Sequence, residues 1–72
     1  MTPAASAHRA VVDAIGRADL DGLVRLVDVL CRDADWEGLV FLRDRSREAR
    51  ERGLQLWPAA EYAEYWLALE AP

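Results

Sequence analysis

Two stretches sixteen residues apart restrict what this chain can fold into: Ala18-Asp19-Leu20-Asp21-Gly22-Leu23-Val24-Arg25-Leu26 and Ala34-Asp35-Trp36-Glu37-Gly38-Leu39-Val40-Phe41-Leu42. Both follow the recipe Ala-Asp-(Leu/Trp)-(Asp/Glu)-Gly-Leu-Val-x-Leu, and seven of the eleven positions from Ala18 to Asp28 are identical in Ala34 to Asp44. Each reads as a helix start. The first Asp is an N-cap, the second acid meets the positive end of the helix dipole, and the Leu-Val pair enters a core. Gly22 and Gly38 stand out, because glycine inside a helix costs about 0.5–1 kcal/mol relative to alanine. They are expected where neighbouring backbones come closest. The similarity has two readings: helix starts that converged on the same chemistry, or descent from a helical repeat whose units bury a face together.

Around these starts the hydrophobic spacing gives four helices and no strand. Thr2-Pro3 opens the first, with Thr as N-cap and Pro at N1, and the apolar positions run to Ala18. The second carries a broad apolar stripe from Leu20 to Cys31 and a narrow polar one, Asp21, Arg25, Asp28 and Arg32. A helix with so narrow a wet face is expected at the centre of the fold. The third is apolar in front, from Trp36 to Leu42, and charged behind, from Arg43 to Arg52, with Gly53 as its C′ residue. Its apolar stripe shrinks to Leu42, Ser46, Ala49 and Gly53. Pro58 starts the fourth, whose Tyr62, Trp66 and Leu69 share a face and are expected to fill that small stripe. The fold class is therefore all-α: a compact antiparallel four-helix array of helical hairpins, repeat-like, with helices near 3–17, 20–32, 36–52 and 58–70. Short loops join antiparallel neighbours.

Seventy-two residues make one domain, standing alone or as the N-terminal part of a longer protein. A core this small needs a staple, and Cys31 is the only cysteine. His8 and Cys31 lie at no ligand spacing, so no metal and no cofactor is expected. Close packing or association must supply the stability. The net charge of −4 disfavours a general nucleic-acid or anionic-membrane binder. All nine basic residues are arginine, as in bacterial-like, GC-rich coding; the functional alternative is a choice of planar, bidentate contacts. With no apolar run of membrane length and no signal-peptide core, the expected location is cytoplasmic.

No catalytic constellation is present: no Ser/His/Asp or Cys/His spacing, no glycine-rich phosphate loop, no HExxH. His8 reads as a solvated side chain and Cys31 as an inert thiol on the apolar stripe of its helix. The expected function is a non-enzymatic protein–protein interaction or oligomerisation module, an adaptor or assembly domain. The alternative is a small nucleic-acid-binding regulator that uses the Arg-rich third helix. Arg43, Arg47 and Arg50 share one stripe there, next to Asp44, Glu48 and Glu51; pairs such as Arg47/Glu51 and Glu48/Arg52 would make the run self-supporting. The aromatic residues carry more information. Trp36, Tyr62 and Trp66 are expected in the core by spacing, and Trp57 and Tyr65 at the surface. Trp and Tyr beside Arg is the composition of an interface hot spot. The candidate interface is thus Trp57, Tyr62, Tyr65, Trp66, Arg43, Arg47 and Arg50, facing a protein partner or a second copy in a homo-oligomer. Arg47 or Arg50 stacked on Tyr65 would close the same surface within one chain.

Overall fold

A computed structural model describes residues 3–72, with side chains described from Ala7 onward. Helix α1 spans Pro3–Gly16, α2 Leu20–Arg32, α3 Trp36–Glu48 and α4 Trp57–Glu70; a single 3₁₀ turn, Ala49–Arg52, continues α3. Among the described residues there is no strand. The all-α four-helix array is as the spacing predicts, except that the α-helical part of α3 stops at Glu48 and its last turn tightens. Thr2, the expected cap of α1, lies outside the described residues.

The two matching stretches build the same hinge twice. Ala18 N donates to Ile15 O and Asp19 N to Ala14 O, at 3.0 and 2.9 Å; Ala34 N and Asp35 N repeat this on Cys31 O and Leu30 O, at 3.1 and 2.9 Å. Each is a Schellman closure in which the alanine takes a left-handed conformation, φ 52° at Ala18 and 55° at Ala34. The next residue is already the N-cap of the following helix. Asp19 accepts from Gly22 N at 2.9 Å and Asp35 from Gly38 N at 3.0 Å. Gly53, φ 81°, closes α3 with the same pair of bonds, to Arg50 O and Ala49 O. At the first two hinges one residue thus ends a helix and its neighbour starts the next, whereas Leu54, Gln55 and Leu56 lie between Gly53 and α4.

The glycines of the motif answer to the caps rather than to neighbouring backbones. A Cβ on Gly22 would run into the Asp19 carboxylate, 2.8 Å from its carbon. One on Gly38 would stand 2.7 Å from Asp35 Oδ2 and 2.9 Å from Leu30 Cδ2. The expectation of backbone contact is corrected: glycine leaves room for the carboxylate to fold over the first turn, and at Gly38 for a leucine methyl of α2 as well.

The molecule measures 32 × 28 × 17 Å. Helix α1 packs on α2 and α3, and α4 on α3 and α2, while α1 and α4 stand at opposite corners and scarcely meet. Both α2 and α3 touch all three other helices, and the α3–α4 contact is the most extensive. The second helix is central as expected, and α3 shares the centre with it. Val29 on α2 is exposed, whereas Gly38, Leu39, Leu42 and Ser46 on α3 are buried.

The core is aliphatic: Val11, Ala14 and Ile15 from α1, Leu23, Val27 and Leu30 from α2, Leu39 and Leu42 from α3, then Leu56 before α4. The buried residues of α4 are all alanines, Ala59, Ala60 and Ala63. Small residues thus form the buried face of α4, and the α3–α4 contact is the most extensive in the fold. The rings expected to fill the small stripe sit at its rim instead. Trp36, Tyr62 and Trp66 are half-buried, packed against the core rather than within it.

Candidate functional site

The inward alanines of α4 decide where its large side chains go. With Ala59, Ala60 and Ala63 turned to the core, Trp57, Glu61, Glu64, Tyr65, Ala68 and Leu69 face solvent. Trp57 is 45 % exposed, and Tyr65 and Leu69 each 57 %. A helix apolar nearly all round belongs in a protein interior. Here one side of such a helix has nothing over it.

The flanks of α4 are tied down on both sides. Toward α2, the Tyr62 hydroxyl donates to Asp28 Oδ1 at 2.7 Å. Trp66 stands edge-on between two tyrosines, 6.2 Å from the Tyr62 ring and 5.4 Å from the Tyr65 ring, at interplanar angles of 79° and 80°. Edge-to-face pairs of this kind contribute about 0.5–1.5 kcal/mol beyond their area. The Trp66 N–H lies near the Tyr62 oxygen without closing a hydrogen bond of normal geometry. It is the largest single influence on the phenol and pulls its pKa down; the bond to Asp28, burial and the charges of Asp28 and Cys31 outweigh it and push the pKa up. Burial, then Asp28 and Glu70, push the half-buried Cys31 thiol up as well, in keeping with an inert thiol.

Toward α3, Arg47 pairs with Glu64. Beside this pair Arg47, Arg50, Glu51, Trp57, Ala60, Glu61 and Glu64 line an open groove of about 560 Å³. Trp57 and Arg50 separate it from a shallower hollow lined by Gly53, Leu54 and Gln55.

The predicted interface residues therefore divide. Trp57, Arg47 and Arg50 come together on the α3–α4 groove, and Tyr62, Tyr65 and Trp66 form one cluster along α4. Arg43 joins neither; it is half-buried and pairs with Asp44 at 3.1 Å. The expected pairs Arg47/Glu51 and Glu48/Arg52 give way to Arg47–Glu64 and Arg45–Glu48, because the 3₁₀ turn shifts the register behind Glu48. Neither Arg47 nor Arg50 stacks on Tyr65. The cation–π contact is Arg45 over Phe41 at 5.5 Å, and His8 stacks on the same ring at 4.2 Å, half-buried rather than solvated.

Sequence reasoning missed Leu69, Val29 on α2 and Val12 on α1 as surface residues; Val12 is 56 % exposed. Val12 lines a smaller groove between α1 and α3 with Ile15, Gly16, Arg45, Glu48, Ala49 and Arg52. Among the described residues no three His, Cys, Asp or Glu side chains are placed to hold a metal ion, and no helix is long and apolar enough to cross a membrane.

Comparison with protein-family models, curated proteins and solved structures gives no match.

Proposed function

We propose that this domain is a non-enzymatic interaction or oligomerisation module whose docking surface is the outer face of α4. The observation that carries the reading is the exposure of Trp57, Tyr65 and Leu69 on a helix anchored along both flanks. Anchoring matters because rigid aromatic side chains lose little entropy on binding, so their burial appears as affinity. Glu61 and Glu64 share this face and lie between Trp57 and Tyr65 along the helix, so rings and carboxylates alternate on it. Trp57 in its groove beside Arg50 is the expected hot spot. The location expected for such an assembly domain is the cytoplasm.

The nucleic-acid reading of α3 gains nothing from the geometry. Arg43, Arg45 and Arg47 each pair with a carboxylate of the same chain, which leaves no continuous positive stripe.

Trp57→Ala and Tyr65→Ala together test the proposal. Tyr65→Ala also removes the edge-to-face pair with Trp66, so a loss of about 0.5–1.5 kcal/mol and a fall of a few degrees in melting temperature are expected, with the fold kept. Association with the domain's partner, or with itself, measured by sedimentation or calorimetry, should be lost. A double variant that binds as well as the parent would refute the reading; a melting temperature lowered by many degrees would show the rings to be structural.

A further inference from the structure

The carboxylates of α4 restrict what can lie on it. From Trp57 to Glu70 the helix carries Glu61, Glu64 and Glu70 and no basic residue. Glu64 is held by Arg47, which leaves Glu61 and Glu70 in no ion pair among the described residues. Two copies facing each other through α4 would bring these acids together, and like charges at an interface oppose association. The matching surface must be apolar and basic.

This chain has one at the opposite corner. The groove between α1 and α3 sets the exposed Val12 beside Arg45, Glu48 and Arg52. Arg45 and Glu48 pair with each other, so the free positive charge comes from Arg52 and from Arg9, exposed one turn before Val12 on α1. Arg52 has no ion-pair partner among the described residues. At about 230 Å³ the groove is of the size to take one large side chain.

Gly16, which lines the same groove, is a second and independent pointer. It is helical, exposed, and has nothing within 4 Å of where a Cβ would be. The equivalent position at the next hinge is Arg32, so the hinge itself tolerates a side chain. Glycine here costs the isolated chain stability and serves no contact within it. A backbone or ring approaching from outside would use the space.

We infer that the occupant is a second copy of this chain, seated head to tail: the α4 face of one copy lies across the α1–α3 corner of the next, with Tyr65 in the groove, Trp57 packed beside it, and Glu61 and Glu70 against Arg9 and Arg52. The inference rests on the reading of α4 as a docking face and names its partner. A heterologous contact of this kind leaves one free edge at each end, so it propagates into larger assemblies unless the rotation closes a ring. It also extends the repeat logic of the two hinges from one chain to a stack of chains.

Sedimentation of two variants, singly and mixed, tests it. The groove variant is Val12→Asp/Arg52→Glu and the edge variant Trp57→Ala/Tyr65→Ala; every changed residue is exposed. The parent should grow in mass with concentration beyond a dimer of the 8.1 kDa chain. Each variant alone should be monomeric, and the mixture should give a one-to-one heterodimer and nothing larger. Gly16→Ala should raise the melting temperature of the monomer while weakening association, a pair of opposite effects that a structural glycine would not give. A groove variant that still self-associates, or a mixture with no heterodimer, would overturn the head-to-tail contact while leaving α4 as a docking face. A parent that stays monomeric at millimolar concentration would overturn self-association altogether. Docking of a different protein on α4 would then be decided by the Trp57/Tyr65 measurement with that protein.

Discussion

Ala18 and Ala34 hold side chains in the left-handed region, φ 52° and 55°, where a Cβ crowds the following carbonyl at a cost of about 1–2 kcal/mol. Gly53 fills the same role at the third closure without that cost. Ala34→Gly should therefore stabilise the domain, by about 0.5–1 kcal/mol once the greater freedom of glycine in the unfolded chain is subtracted, and urea unfolding would measure it. Equal or lower stability would show that the hinge is not strained. The glycines three residues after each cap behave differently from each other. Gly22→Ala gains about 1 kcal/mol of helix propensity and displaces only the Asp19 carboxylate, whose cap contributes about the same, so little net change is expected. Gly38→Ala also meets Leu30 in the core and should destabilise clearly, and Gly38→Leu by far more than Glu37→Ala. Matching melting temperatures for the Gly22 and Gly38 alanine variants would contradict this.

At the scale of the helices, α2 and α4 are joined by groups whose protons the fold holds tightly. The Tyr62 phenol and the Cys31 thiol both have pKa values raised above their ordinary ones. A group with a raised folded pKa contributes its full stability below its unfolded value and loses it as the pH rises through the folded value. Stability should hold up to about pH 8.5, the ordinary cysteine value, and decline as the pH climbs through and beyond it. Urea titrations at pH 7 and pH 10.5 would show the loss, and Tyr62→Phe with Cys31→Ala should flatten it. An unchanged slope in the double variant would place the pH dependence elsewhere. How these helices lie is only partly legible in the sequence. Caps, dipole acids and the Leu-Val pairs of α2 and α3 have strong local chemistry, and their boundaries follow it closely. On α4, apolar residues surround the helix, so periodicity gives no inward direction. The choice is made on packing: Ala59, Ala60 and Ala63 are the buried residues of α4, and with them inward Tyr65 and Leu69 turn outward. That decision belongs to the pair of helices and appears in neither one read alone. The candidate surface inherits the same limit. Trp57 and Tyr65 are readable as exposed rings, whereas Val12 and Leu69 have nothing in their local pattern to mark them.

Across the whole molecule, two inner helices share the core and two outer ones hold the corners. Opening α3 separates it from α1, α2 and α4 at once, whereas releasing α1 frees it from α2 and α3 and leaves the extensive α3–α4 contact in place. The free energy of a local opening follows the packing it disrupts, so protection from hydrogen exchange should be graded. Amides of Leu39, Leu42 and Ser46 should exchange only through global unfolding, with a free energy equal to that from urea titration. Amides of Val11 and Ile15 should exchange through a smaller opening with a weaker dependence on denaturant. Exchange measured at increasing low urea separates the two, because a sub-global opening exposes less surface and so has a smaller slope. If the slopes for α1 and α3 coincide, the domain opens as one unit and the corners are not independent. The graded outcome ties stability to function. The α1 corner is the least supported part of the described core, and it is where a second copy would bind. Self-association should then raise the protection of Val11 and Ile15 toward that of Leu39 as the protein concentration increases, and the groove variant should abolish that rise.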